Sequence, residues 1–390
     1  MNQFNTFDSE LDCNLSQKKY PVRRYSQVCR NPFVKVGVSH KGDVSIGCDR
    51  GHYLHIGNLF ENDFASIWNS DAAKNLRKKI WECDYSDCRF HTHFPTFVDK
   101  SKIEGYYQAD GTVTKFPSIV KFDDDYSCNV ACVTCRNKIR MMNKEDSERL
   151  DSYIDDYYLP ILKDAKTVYM NGVGEYFASR HCLNLTQRII EKYPQIKFHI
   201  HTNGILCDEE NCKRIGIIDK LYNVSVSFHA STKETYDKIV KGGNFERVMK
   251  NLKWLSDQKK QGKIFLVEII MAVSSINYKE MKAFMQLAKN LDIRARFWEL
   301  GTGFSVDAPT DQDYEKYAVC LPGHPEYKKM VKLLQAPIFK SDNCLLDPLL
   351  ESIRKGKAYN INNKLTLRRL IKYLLPYGLV RFIQNKKDAI

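Results

Sequence analysis

The sequence predicts an α/β fold built on parallel strands, and three observations carry that expectation. Between about residues 117 and 300, six apolar runs alternate with amphipathic ones; the hydrophobic share of 43 % is ample for real cores; and no stretch reaches the roughly 18 uninterrupted apolar residues of a spanning helix. The strand candidates are Ser118–Phe122, Thr167–Asn171, Lys197–Thr202, Val224–Phe228, Ile264–Val273 and Arg296–Leu300. Helical patterns such as Ser147–Leu162, Leu183–Lys192, Phe245–Asp257 and Tyr278–Asn290 separate them. Repeated β-α units imply parallel strands with covering helices, as an open doubly wound sheet or as a partial barrel.

Along the 390 residues the other elements fall in order. Residues 1–25 are polar and aperiodic, a loose lead-in. Within 26–100, Phe33–Val38 and Val44–Cys48 flank a Gly-containing turn and predict a hairpin. Asp63 to Trp81 then predicts a short helix or helix pair, with Asp63 or Ser70 as cap, delivering the chain to Cys83 and Cys88. Residues 117–300 hold the β-α units, 301–350 form a loop-rich extension, and 351–390 a basic amphipathic tail. That tail has ten Lys/Arg against Glu351 and Asp388, most of the chain's net charge of +13. A basic tail, not a basic face for tracking phosphates, is what the charge describes, so no specific nucleic-acid partner is expected. The first residues lack the basic and apolar regions of an export signal, which predicts a cytoplasmic protein.

Thirteen cysteines in a reducing compartment point to metal or redox chemistry rather than disulfides. Directly after the first strand candidate, Cys128, Cys132 and Cys135 are spaced CxxxCxxC on a polar loop. Three thiolates from one loop can hold three irons of a cubane cluster and leave the fourth open; the alternative is a zinc site completed by a distant ligand. Gly172-Val173-Gly174-Glu175, Thr202-Asn203-Gly204 and Ser227-Phe228-His229 follow the next three strands. Each alone reads as a turn, but carboxyl ends of parallel strands form one rim, so all four motifs face one site.

With these residues in place, the sequence resembles the radical S-adenosylmethionine (radical SAM) enzymes. Cys128, Cys132 and Cys135 match the family's cluster-binding triad, with Asn129 and Arg136 as in many members. Gly174 and Glu175 look like the end of its glycine-glycine-glutamate motif, which contacts the methionyl amino group. Asn203 and Ser227 fall where later strands contact the ribose or carboxylate of SAM, and Thr235–Phe245 is similar to family sequence after the fourth strand. The resemblance implies a partial (β/α)6 TIM-like barrel over 117–300, a SAM-binding [4Fe–4S] cluster and a reductant such as flavodoxin or ferredoxin. It also implies the chemistry: SAM chelates the open iron, an electron cleaves its carbon–sulfur bond, and the 5′-deoxyadenosyl radical takes hydrogen from a substrate. Thr134, Tyr176, His229 and Val240 depart from the aromatic, proline, aspartate and arginine common at those places.

Cys29, Cys48, Cys83 and Cys88 form a second constellation able to ligate a complete iron–sulfur cluster or a tetrahedral zinc. Cysteine, hairpin ending in cysteine, Ile-Gly-Asn-Leu, Trp-containing helix and two close cysteines: this order is similar to a SPASM domain, a small α+β module. The resemblance implies an auxiliary [4Fe–4S] cluster, in a module that usually follows the barrel and here precedes it. His91 and His93 are alternative ligands. Cysteines 13, 182, 207, 212, 320 and 344 lack ligand spacing and read as packing residues.

Leu365 to Lys387, with its Leu375-Pro376-Tyr377-Gly378, can lie on an anionic membrane surface, giving peripheral association on the inner face, or dock as a helix on the barrel. A similar ending on some polysaccharide-biosynthesis proteins points to a sugar or sugar nucleotide of cell-envelope biosynthesis as substrate. A peptide or protein side chain is the alternative substrate, and a zinc-stabilised, non-catalytic binding protein the alternative of another class.

Overall fold

The computed structural model describes residues 26–48, 52–85, 97–123, 125–170, 174–300 and 315–356, apart from the side chains of 48, 52, 53 and 348. In chain order its strands are β1 (Gln27–Cys29), β2 (Lys35–Ser39), β3 (Asp43–Cys48), β4 (His52–Asn58), β5 (Phe97–Asp99), β6 (Ile119–Asp123), β7 (Ala131–Cys132), β8 (Thr167–Met170), β9 (Lys197–Thr202), β10 (Leu221–Ser227), β11 (Val240–Lys241), β12 (Leu266–Val273), β13 (Arg294–Glu299) and β14 (Cys344–Leu346). Ten of them form one sheet in the order β14-β13-β12-β10-β9-β8-β6-β2-β3-β4. The six expected strands, β6, β8, β9, β10, β12 and β13, lie side by side and parallel.

At one edge β14 adds parallel to β13, so the 301–350 extension contributes a strand, and the helix Tyr327–Leu334, to the fold. At the other edge the sheet runs into the N-terminal unit. β2 pairs parallel with β6, Lys35 opposite Ile119 and Ser39 opposite Asp123, while β3 and β4 continue as the antiparallel meander that contains the expected hairpin. The expected helix pair is present as Phe64–Trp68 and Asp71–Trp81, capped by Asp63 and Ser70. Arg77 of the second helix is fully buried, its guanidinium 4.1 Å from the Trp68 ring and its Nε donating to Pro32 O at 2.9 Å. Desolvation pulls that guanidinium down to about 9. The Trp68 indole donates to Lys115 O at 3.0 Å, fastening this unit to the chain entering β6.

Pairing register divides the parallel strands into two faces of opposite character. One face carries Val120, Phe122, Val168, Phe198, Val226 and Phe297, all buried, and takes the helices. Arg180–Lys192 buries Leu185 and Ile189, Phe245–Lys260 buries Val248, Leu252 and Leu255, and Met281–Asn290 buries Phe284 against Phe297 at 5.6 Å. Ser179, Asn244 and Thr232 cap three of the helices that follow strands, so each strand-to-helix turn satisfies its own first amides. The other face carries Lys121, Tyr169, His199, His201, Ser225, Ser227, Glu268, Arg294, Arg296 and Trp298. An open doubly wound sheet would pack helices on both faces and make both apolar. A polar face opposite a helix-covered one is the inside of a barrel, which settles the architecture as a partial barrel.

Candidate active site

The cysteine triad sits where the sequence predicted, on the turn after β6. Cys128 donates its N–H to Arg140 O at 2.7 Å, and Cys132 lies in the two-residue β7, paired with Val240 of β11. The N–H groups of Cys135 and Arg136 both donate to Cys132 O, at 2.8 and 3.0 Å, closing a tight loop. Burial pushes the Cys132 thiol well up and the Cys128 thiol up, with neighbouring thiols adding to both shifts. Such buried, mutually repelling thiols lose their protons to iron far more readily than to water. Arg136, itself buried, works against its own desolvation by hydrogen bonding to Cys135, and its Nη1 donates to Tyr126 O at 2.9 Å. A guanidinium at that point offsets the negative charge of three thiolates and a cluster. Among the described residues no three His, Cys, Asp or Glu converge on a single metal-ion position. A cubane places its three protein thiolates on three different irons, so neighbouring rather than converging thiols fit it.

Gly174 and Glu175 dock directly on this loop. A Cβ at Gly174 would overlap the Ser127 carbonyl oxygen, so only glycine lets the strand end approach, and Glu175 N–H donates to that same oxygen at 2.6 Å. The buried Glu175 carboxyl accepts from Thr202 Oγ1 at 2.6 Å, Asn203 N–H at 2.5 Å and Phe177 N–H at 3.2 Å. Desolvation outweighs these three donors and pushes it up to about 7. Asn203 reaches back across the rim, its Nδ2 donating to Asn129 Oδ1 at 2.8 Å. Cluster loop, Glu175 and Asn203 are therefore one hydrogen-bonded unit. Ser227 ends β10 with its Oγ 2.7 Å from His201 Nε2. Residues 171–173, with Gly172, lie outside the described residues.

In the N-terminal unit, Cys29 is buried in β1 with its N–H donating to Tyr85 Oη at 3.1 Å. Cys83 has a left-handed backbone, φ 63°, and its Sγ is 3.8 Å from Gln27 O, beside the strand that bears Cys29. Cys88, His91, His93 and the Cys48 side chain lie outside the described residues.

The strand motifs alone do not disclose the network beneath the rim. Tyr169 stacks on His199 with ring centres 4.4 Å apart, His199 Nε2 meets Ser225 Oγ at 3.1 Å, and Ser225 donates to Glu268 Oε1 at 2.7 Å. Arg294 donates through Nε and Nη2 to Glu268 Oε2 at 2.9 and 2.6 Å, and Arg296 through Nη1 to Oε1 at 3.0 Å. Two guanidiniums hold Glu268 ionised far below the usual carboxylate range, although burial opposes it. His201 packs edge-on to Trp298 at 5.6 Å. His229, just past Ser227, has φ 65° and accepts the Ala272 N–H on Nδ1 at 3.2 Å, which puts its ring proton on Nε2. The signal was in the sequence as period-two polarity: Lys197-Phe-His-Ile-His, Asn223-Val-Ser-Val-Ser and Arg294-Ala-Arg-Phe-Trp alternate cleanly.

Residues 126–288 match the radical SAM superfamily, and residues 29–89 match SPASM, an iron–sulfur cluster-binding domain. No curated protein matches the chain. Among solved structures, native anSMEcpe with bound AdoMet is 16 % identical, with 62 % of this chain and 68 % of that one covered at a TM-score of 0.36. TYW1 with a lysine-pyruvate adduct bound is 16 % identical, covering 60 % and 76 % at 0.32, and methylornithine synthase (PylB) 11 % identical, covering 76 % and 80 % at 0.34. Triad, rim and family match agree: the chain is a radical SAM enzyme, taking a [4Fe–4S] cluster and SAM, with a SPASM auxiliary-cluster domain ahead of its barrel.

Proposed function

We propose that this enzyme abstracts hydrogen from a small polar molecule lodged on the inner face of the barrel, a sugar or sugar nucleotide of cell-envelope biosynthesis. The observation that carries this reading is the inner face itself, where hydroxyls, imidazoles, guanidiniums and aromatic rings stand side by side. Hydroxyl-rich ligands are recognised by such groups, whereas an apolar side chain would leave them unpaired. When bound, the cluster and SAM supply the electron and the 5′-deoxyadenosyl radical.

The protein's own residues bind, orient and exclude water. Cys128, Cys132 and Cys135 hold the cluster; Glu175 offers an acceptor for the methionyl amino group; Asn203 and Ser227 contact the ribose or carboxylate of SAM. Cys29, Cys48, Cys83 and Cys88 hold the auxiliary cluster. Flavodoxin or ferredoxin supplies the electron. No helix among the described residues is long and apolar enough to cross a membrane, and the basic tail attaches the protein peripherally. Replacing Cys128, Cys132 and Cys135 together by alanine should abolish 5′-deoxyadenosine formation under dithionite, and sugar nucleotides should raise its rate in the wild type. Undiminished cleavage in the triple variant overturns the site; stimulation by peptides instead of sugars overturns the substrate.

A further inference from the structure

Resting on the proposal that the substrate lies on the inner face, the charges of that face narrow the substrate class. The inner positions of the parallel strands carry Lys35, Lys121, Lys197, Arg294 and Arg296 against Asp123 and Glu268. Lys197 is at the far end, with its Nζ on Asp219 O at 2.9 Å, and Lys121 is paired with Asp123 at 2.5 Å. Glu268 is fully buried and shared by two guanidiniums, so that trio is net positive.

Its two arginines are not equivalent. Arg294 spends its Nε–Nη2 fork on Glu268 Oε2, one layer below the rim. Arg296 stands a layer higher, in register with Ile270 and, through it, with Ser227, the residue that ends β10 at the rim. It touches Glu268 through Nη1 at an oxygen already taken by Ser225, and its guanidinium lies 5.3 Å from the Trp298 ring centre. Around it are His201, held by Ser227, and His229, its proton fixed on Nε2. A planar guanidinium over an aromatic ring is suited to an oxyanion.

We infer that the substrate carries an oxyanion, carboxylate or phosphate, that docks on Arg296 beside Trp298 while its hydroxyl groups meet His201 and His229. Calorimetric titration of the cluster-loaded protein with glucose 1-phosphate, glucuronate and glucose tests this. One of the two anionic sugars should bind at least tenfold more tightly than glucose, and which one does so tells phosphate from carboxylate. Arg296→Gln should erase that preference by a tenfold or greater loss that exceeds any change in SAM affinity. Arg296→Lys, which keeps a cation beside Glu268, should retain the fold and lose affinity by a smaller factor.

Equal binding of all three sugars, or a preference untouched by either substitution, overturns the inference. A SAM affinity that falls by the same factor reassigns Arg296 to the cofactor and overturns it too. A protein that shows the Arg296-dependent preference yet releases no 5′-deoxyadenosine sinks the radical reading alone. One that cleaves SAM without preferring the anions sinks this inference alone.

Discussion

The two faces of the parallel sheet are built from alternate residues of the same strands, yet they answer to different demands. Phe198 and Ile200 of β9 are fully buried under helices, while His199 and His201, which alternate with them, are tied to serines of β10. The apolar face holds the fold by area removed from water, and exchanging one hydrocarbon for another there changes little but volume. On the polar face every group needs a particular partner, and in the proposed function that face serves binding. Stability and function therefore separate by residue parity, which is open to direct attack.

The largest expected effect is on the apolar face. Phe297 packs against Phe284 at 5.6 Å and Phe339 at 5.7 Å with no exposure. Phe297→Ala should cost about 3–5 kcal/mol in urea-induced unfolding, while the folded fraction keeps its rate of 5′-deoxyadenosine release. A loss of rate per folded molecule larger than the loss of stability would break the separation.

The rim should show the reverse. Gly174→Ala places a methyl into the Ser127 carbonyl, next to Cys128. Moving a cluster loop by a fraction of an ångström should lower SAM cleavage by about a hundredfold. Thermal unfolding should shift far less than for Phe297→Ala, and a variant with normal cleavage would show that the close approach of Gly174 to the loop is incidental.

The same parity explains what the sequence disclosed. Apolar runs are local signals, so Lys197–Thr202 was foreseen to the residue and the other five strands to within three residues at each end. The triad was plain because cluster ligands from one loop are a matter of spacing. Pairing of β2 with β6 was hidden: it joins residues some eighty positions apart, and nothing in Lys35–Ser39 distinguishes a hairpin arm from a strand of the main sheet. β14 was hidden because three residues, Cys344–Leu346, are too few for any period to show. The polar face was written in the strands and eclipsed by their apolar half. His199, His201, Glu268 and Arg296 share one parity, and a polar parity of that kind marks a barrel interior and not an open sheet.

The N-terminal unit sharpens the comparison from outside the barrel. Its meander, β2, β3 and β4, extends the sheet with few strands of its own, so a metal centre is expected to supply part of its stability. Cys83→Ala should remove one cluster's worth of iron and lower soluble yield; normal iron and normal thermal stability would make these thiols incidental.

The smallest effect concerns the polar face and pH. Burial pushes His199 down to about 3 and His201 down to about 4, so both are neutral in the folded protein at pH values where the unfolded chain, titrating near 6.5, takes up protons. More protons bound by the unfolded state means that stability falls as pH drops below about 6.5. Glu175 slopes the other way: raised to about 7, it destabilises once ionised and so favours the folded state as pH falls through that value. Glu268 stays out of this window, since its depressed value matters only below the ordinary carboxylate range. The difference between wild type and a His199→Gln/His201→Gln variant therefore isolates the imidazoles. Because both residues keep part of their surface open to water, the full electrostatic figure is discounted, and the wild type should lose about 1 kcal/mol more than the variant between pH 7 and 5.5. Parallel urea-unfolding curves for the two proteins across that interval would mean that the inner face is wet enough to charge its histidines, and the contrast between the faces would then be one of packing and not of polarity.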